Sequence, residues 1–158
     1  MIKAIGFRVE AKTVHYAIVG GTKLVPTLFY HDKMTPPSSY DKECCQLAWY
    51  RDRLFNIIVE YQPKLGAIRF PEPCSYASAN IDSLLKRARI EGVILEFLWG
   101  QNVECIGAAF KTISSELNCK KAKDCLKHEN FRTLDWSEIK NQNRRESILV
   151  AITQLVEN

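Results

Sequence analysis

The chain has 158 residues, is 46% hydrophobic and carries a formal net charge of +4. This length suits one well-cored domain and is short for two, so we expect a single domain over residues 1–158. No stretch reaches the roughly 18 consecutive apolar residues of a membrane span, and no long apolar signal region precedes the first strand pattern. We therefore expect a soluble, cytoplasmic protein without a membrane partner.

The cysteines do not predict a disulfide framework, because a chain of this size can fold without covalent crosslinks. The six are Cys44, Cys45, Cys74, Cys105, Cys119 and Cys125. Cys119, Cys125 and His128 form the tightest cluster, but they offer three ligands in non-standard spacing, whereas a structural zinc site needs four. We interpret the cysteines as free thiols rather than metal ligands.

Basic residues are concentrated in the second half of the chain. Between Lys111 and Arg145 there are nine basic residues and five acidic ones. Five lysines lead this window: Lys111, Lys120, Lys121, Lys123 and Lys127. Such clustering is typical of a surface that binds a phosphate backbone. A solvated helix face explains the same pattern equally well.

The first third of the chain predicts three antiparallel strands. Ile2 to Glu10, Thr13 to Val19 and Lys23 to Phe29 are strand-like and are separated by spacings typical of hairpins. Residues 30–39, which include two consecutive prolines, predict a loop. Ser38-x-x-Asp41 is a possible helix cap.

Helices and strands then alternate. A helical repeat ends before Pro63, and Leu65 to Phe70 predicts a fourth strand that the following prolines end. The next helix carries a regular stripe expected to face inward: Ile81, Leu84, Leu85, Ala88, Gly92, Leu95 and Trp99. Gly92 in that stripe predicts close approach to a neighbouring backbone.

The remainder predicts one more strand and three helices. The strand is Val103 to Gly107, and the helices are Ala108 to Leu117, Cys119 to His128 and Gln142 to about Val156. The last helix should direct four apolar residues inward: Ile148, Ala151, Ile152 and Leu155.

This order of elements is that of the ribonuclease H fold. It predicts an α/β domain with a mixed five-stranded sheet in the order 3-2-1-4-5, with three antiparallel strands, two parallel strands and helices on both faces.

Four segments resemble the RuvC family of Holliday-junction resolvases. Ala4-Ile-Gly-Phe-Arg8 is similar to the family's opening strand, and Ile58-x-x-Tyr61-Gln-Pro63 with Ala67-Ile68-Arg69 is similar to its helix-to-strand passage. The segments from Ile81 to Val93 and from Glu146 to Thr153 resemble its central and last helices. The resemblance spans nearly the whole chain in the right order.

The resemblance places four carboxylate positions of the family on this sequence. They fall on Arg8, on Arg69, near Asn143 and on Glu146, so that only Glu146 is still acidic. Two-metal phosphodiester cleavage needs several carboxylates to hold two divalent ions, and an arginine cannot act as a general base. We therefore expect no catalytic residues, no metal and no cofactor.

A displaced site is the alternative that keeps enzyme activity. Glu10 follows Arg8 by two residues, hence on the same strand face, and Glu72 follows Arg69 by three. Together with Glu146 they could form a magnesium-dependent endonuclease site. Prolines on both sides of Glu72 suggest that it has left the strand.

The arginines themselves have two interpretations. Arg8 and Arg69 could form a positive pocket that binds DNA or RNA phosphate without cutting it, or they could pair with Glu146 and Glu10 in an internal network. We expect a catalytically inactive RuvC-like domain that associates with nucleic acid or with a nucleic-acid-processing complex. A structural protein-interaction domain, including a homodimer formed through the second helix, is the further alternative.

Overall fold

The structure is a computed structural model that describes residues 1–72 and 80–157. Its main sheet consists of β1 (Lys3–Val9), β2 (Val14–Gly21), β3 (Pro26–Met34), β4 (Leu65–Arg69) and β5 (Glu104–Ala108). The strand order is 3-2-1-4-5. β1 pairs antiparallel with β2 and parallel with β4, and β4 pairs parallel with β5. The predicted fold and strand order are confirmed.

Helices cover both faces of this sheet. They are α1 (Glu43–Tyr61), α2 (Ile81–Gly100), α3 (Phe110–Glu116), α4 (Ala122–Cys125) and α5 (Gln142–Ile152), and a small hairpin joins β6 (Asn130–Phe131) to β7 (Leu134–Asp135). One core layer packs α1 and α2 against the sheet, and the other packs α5 and the segment from α3 to β7 against the opposite face. Within the described residues, no helix is long and apolar enough to cross a membrane.

The prediction for the third strand was wrong in its bounds. β3 begins at Pro26 and extends to Met34, into the first half of the segment that we expected to be a loop, with Tyr30 opposite Ile18 and Asp32 opposite Tyr16. A register shift between Ile18 and Val19 accommodates the extension. The polar residues were misleading because β3 is an edge strand, whose exposed side needs no apolar side chains.

The expected cap of α1 is also absent. The helix begins at Glu43, and its N-cap residue Lys42 makes no side-chain capping bond. In α2, by contrast, the side chain of the N-cap Asn80 accepts a hydrogen bond from the Ser83 amide. Capping thus fixes the start of α2 and not that of α1.

Most of the predicted inward stripe of α2 faces outward, although Leu84 and Leu95 are partly buried. Ile81, Leu85 and Trp99 are exposed, Trp99 by 76%, and a Cβ on Gly92 would meet no atom within 4 Å. The buried residues of α2 are Arg87, Ile90, Glu91, Ile94, Phe97 and Leu98. This face also has helical spacing, but it includes two charged residues, which a hydrophobicity pattern scores as exposed.

Between β5 and α5 the chain is less helical than predicted. β5 ends one residue later than expected, α3 and α4 are shorter than the two helices predicted there, and a hairpin follows them. Arg145 organises this segment from α5, because its guanidinium donates to the carbonyls of Leu126, His128, Trp136 and Ile139. Pro73 and Cys74, which entered the sequence interpretation, lie outside the described residues.

α5 lies directly on the centre of the sheet. A Cβ on Gly6 would come within 2.1 Å of the Ser147 carbonyl oxygen, so the absence of a side chain lets α5 approach β1 closely. Ile148, Ala151 and Ile152 are buried, as predicted, but α5 ends at Ile152 and not near Val156, so that Leu155 is buried beyond the helix. This close packing places Glu146, at the start of α5, beside the carboxyl ends of β1 and β4.

Candidate functional site

Arg8 and Arg69 lie side by side at the carboxyl ends of adjacent parallel strands. The register pairs Phe7 of β1 with Ile68 of β4, so each arginine follows a paired residue. Because side chains alternate along a strand, Arg8 shares the face of Gly6, on which α5 packs. Positions 8 and 69, at which the RuvC family has acidic residues, are therefore neighbours in space.

Glu146 bridges the two arginines. Its Oε2 accepts a hydrogen bond from Arg8 Nε at 2.7 Å and lies 3.1 Å from Arg69 Nε. The second contact is an ion pair without hydrogen-bond alignment, since Arg69 Nε has no hydrogen-bond partner among the described residues. The contacts with Glu146 are those of the second interpretation of the arginines, the internal network, but Glu10 binds His15 at 2.8 Å instead.

Arg69 is the more deeply buried of the two arginines. Its side chain is 8% exposed, against 17% for Arg8. Burial lowers the pKa of Arg69 to about 10, while the nearby Glu146 carboxylate opposes that decrease. The group is still charged at neutral pH, so the site keeps a cation that is costly to bury without an anion nearby.

Arg87 and Glu91 of α2 extend the cluster. Arg87 Nε donates to Glu91 Oε1 at 2.6 Å, and its Nη2 donates to the main-chain carbonyl of Arg69 at 2.6 Å. Burial lowers the pKa of Arg87 and raises the pKa of Glu91. We call Arg8, Arg69, Arg87, Glu91 and Glu146 the charge network.

Phe110 and Glu72 complete the surroundings of Arg69. The Arg69 guanidinium lies 3.9 Å from the centre of the Phe110 ring, a cation–π contact. Glu72, beyond the end of β4, accepts a hydrogen bond from the Phe110 amide at 2.6 Å. The start of α3 is thereby tied to the chain that leaves β4.

A cavity of about 620 Å³ opens beside this network. Seven basic side chains line it: Arg8, Arg69, Arg87, Lys111, Lys120, Lys121 and Lys123. Among the described residues, Glu72 is the single carboxylate that lines it. We call it the basic cavity. The structure thus brings six of the seven residues predicted to bind nucleic acid to one place.

The four lysines differ from the arginines in having no acidic partner. Lys111, Lys120, Lys121 and Lys123 are exposed, and within the described ranges none has a carboxylate within 4.0 Å. We call these four residues the lysine rim. Lys127, the seventh predicted binding residue, does not line the cavity and pairs with Asp124 at 3.0 Å.

The donor set does not fit the two metal ions that the fold family implies. At the family positions, two guanidiniums occupy the ends of β1 and β4 and share Oε2 of the one remaining carboxylate, that of Glu146. Asn143 does not line the basic cavity. Cations at these positions repel divalent ions, so the residues present cannot replace the usual carboxylates.

The structure does not assemble the displaced carboxylate site either. Glu10 binds His15, Glu72 binds the Phe110 amide, and Glu146 binds the arginines. Across residues 1–72 and 80–157 there is no group of three or more potential metal ligands, including at Cys119, Cys125 and His128. The five cysteines in these ranges are free thiols.

Sequence reasoning missed Arg87, Glu91 and Phe110. The spacing of Arg87 and Glu91, four residues apart on a helix, is a signal for an ion pair, but such pairs usually lie on solvated faces. The contact of Phe110 with Arg69 joins residues far apart in sequence, which no local pattern reports.

No protein-family model matches this chain, and no curated protein matches it in sequence. Thermus thermophilus RuvC, solved in complex with a Holliday junction substrate, matches with a TM-score of 0.76 and 10% identity over 96% of this chain and 92% of that one. The yeast mitochondrial Holliday junction resolvase Ydc2 gives 0.63 and 14%, over 96% and 77%. The Fowlpox virus Holliday junction resolvase gives 0.50 and 16%, over 96% and 93%.

These likenesses define the class of fold. The chain has the ribonuclease H-like fold of RuvC and other Holliday junction resolvases. The predicted fold family is thus confirmed.

Proposed function

We propose that this protein binds nucleic acid through the basic cavity without cleaving it. The observation that carries the proposal is the convergence of seven basic side chains on one cavity at the carboxyl ends of β1 and β4. Two of the resolvases with this fold were solved with Holliday junction DNA, and that ligand chemistry suits a surface of this charge.

The lysine rim supplies the charge for binding. Its four ammonium groups are exposed and carry no carboxylate partner in the described parts of the chain, so a phosphate backbone can neutralise them and release counterions. The arginines contribute less free charge because Glu146 and Glu91 already pair with them. Binding should therefore follow the strand backbone and weaken as salt increases.

Loss of cleavage follows from the chemistry of the charge network. Activating water at a phosphodiester requires carboxylates around divalent ions, and Glu146 alone, held between two guanidiniums, cannot provide this. An arginine stabilises a bound phosphate but does not accept the proton of an attacking water. The described residues of the site can therefore hold a phosphate, but they form no cluster of carboxylates that could hold divalent ions and activate the nucleophile.

A cleavage assay tests this half of the proposal. Purified protein with Mg²⁺ or Mn²⁺ should not cut four-way junctions, duplex DNA or RNA above background, although it should retain four-way junctions in a mobility-shift assay. Cutting that disappears in Glu146→Gln and persists in the exposed control Glu138→Gln would establish the divergent endonuclease instead.

A protein-interaction role is the second candidate. The exposed face of α2 presents Ile81, Leu85 and Trp99, and nearby α1 exposes Phe55 and Val59. Large exposed apolar patches mark interfaces in soluble proteins. We assign this face to a second copy of the chain, because a glycine with open space around it at position 92 lets another helix approach.

Sedimentation measurements test the homodimer. The wild type should sediment as a dimer at micromolar concentration, and Leu85→Glu should shift it to monomer without loss of helical signal. The matched control is Lys86→Glu, one residue away on an exposed position. A wild type that stays monomeric at high concentration would exclude this role.

A further inference from the structure

We propose that the basic cavity selects a phosphomonoester, at a phosphorylated strand end or on a free nucleotide, over the phosphodiester of a continuous strand. This inference rests on the proposed function and specifies its ligand.

The density of positive charge in the cavity favours a phosphomonoester. Seven basic side chains line the cavity, and the three carboxylates in or directly behind it, those of Glu72, Glu91 and Glu146, leave a net charge of +4. A phosphodiester brings one negative charge, whereas a phosphomonoester carries about −1.5 to −2 at neutral pH and exposes three strongly accepting oxygens. The more highly charged group uses more of the available cations.

Part of this positive charge lies on side chains that are buried in the protein. Arg69 and Arg87 line the cavity, although their side chains are only 8% and 9% exposed. Buried guanidiniums hold their geometry, and desolvation strengthens their bonds to an anion. A flat lysine patch that follows a backbone needs no such buried groups.

The size and the apolar lining of the cavity also suit a terminal nucleotide. A volume of about 620 Å³ lies within the range of small-molecule sites. Leu84, Pro71 and Phe110 add apolar side chains to the lining of the cavity. A terminal nucleotide can place its sugar or base against these side chains while its phosphate meets the guanidiniums.

The test compares one oligonucleotide in four forms by competition at low salt. The forms carry a 5′-phosphate, a 3′-phosphate, hydroxyl groups at both ends, or no ends because the strand is covalently circular. We expect a phosphorylated end to bind about ten-fold more tightly than the circle, the value of one extra charge-assisted hydrogen bond. A nucleoside 5′-monophosphate that competes as well as the phosphorylated strand would identify the free nucleotide as the source.

Charge-matched variants tie the selectivity to the cavity. Replacing Lys120, Lys121 and Lys123 with Gln should reduce the preference to less than about two-fold, while the same replacement at Lys33, Lys127 and Lys140, which lie outside the cavity, should keep it. Equal affinity of the wild type for all four forms would overturn this inference and leave the proposed function intact. Binding of no form at low salt would overturn both.

Discussion

The charge network and the lysine rim lie next to each other but have opposite physical characters. In the network, each guanidinium has a carboxylate beside it, and Glu146 is only 10% exposed. In the rim, four exposed ammonium groups have no carboxylate within ion-pair distance among residues 1–72 and 80–157. The basic cavity joins the two regions, so one site contains both paired and unpaired cations.

The difference between the charge network and the lysine rim shows how a site can change its function while the fold around it is kept. Buried pairs contribute little net stability, but they are costly to break, because breaking one leaves an uncompensated charge in the interior. Exposed lysines can be removed at almost no cost to folding. Mutations in the network should therefore change stability, and mutations in the rim should change binding.

The largest effect is expected at Glu146. Glu146→Gln leaves Arg8 and Arg69 without their shared anion and should lower the free energy of unfolding by about 3 kcal/mol. It should also increase affinity for a polyanion, because the cavity gains a positive charge. Chemical denaturation and fluorescence anisotropy measure the two effects, with exposed Glu138→Gln as the control. If Glu146→Gln leaves the free energy of unfolding unchanged, the contacts of Glu146 with Arg8 and Arg69 do not stabilise the fold.

The second effect is expected at the ion pair of Arg87 and Glu91, where replacing one residue should differ from replacing both. Arg87→Met should destabilise the protein by about 3 kcal/mol, because Glu91 stays behind as an unpaired buried carboxylate. The double variant Arg87→Met/Glu91→Leu should return to within about 1 kcal/mol of the wild type. Denaturant midpoints of both variants give the comparison. Additive losses in the double variant would contradict the pairing of these residues.

The strand order could be predicted because the order of elements resembles that of the ribonuclease H fold, in which short hairpins and right-handed crossovers leave few topologies. The sequence also predicted that Arg8 and Arg69 meet, since both end strands that the fold places in parallel. Glu146 was assigned through the resemblance of the segment from Glu146 to Thr153 to the last helix of the RuvC family. These relations depend on the order of elements and on that resemblance, both of which are visible in the sequence.

The inner face of α2 could not be predicted in this way. The face with Ile81, Leu85 and Trp99 is more apolar than the face with Arg87 and Glu91, yet the second face is buried. Burial of the charged face is possible only because Arg87 finds Glu91 and the Arg69 carbonyl. Such compensation depends on residues from other elements, so a hydrophobicity pattern alone gives the wrong answer.

The lysine rim should show its effect in binding and not in folding. Replacing Lys120, Lys121 and Lys123 with Gln should flatten the slope of log affinity against log salt for duplex DNA by up to about three units. Stability should change by less than about 0.5 kcal/mol, since these side chains are exposed. The matched triple at Lys33, Lys127 and Lys140 should keep the slope. Equal slopes in all three proteins would place the phosphate contacts elsewhere.

The smallest effect concerns pH, at the edge of the charge network. His15 of β2 lies opposite Arg8 of β1 and binds Glu10. Burial lowers the pKa of His15 below 6.5, although Glu10 opposes the decrease. The folded protein therefore binds this proton less readily than the unfolded chain, so stability should fall as pH decreases through 6.5.

Burial lowers the pKa of His31 as well, so this residue adds to the same pH dependence. Nearby Arg144 acts on both histidines in the same direction. His15→Asn should reduce the loss of stability on acidification, and His15→Asn/His31→Asn should reduce it further. Thermal midpoints from about pH 7.5 to 5.5 follow the change across the histidine range, with exposed His128→Asn as the control. If acidification stabilised the wild type in this range, His15 would be protonated in the fold and would act as a cationic partner of Glu10, extending the paired network to β2.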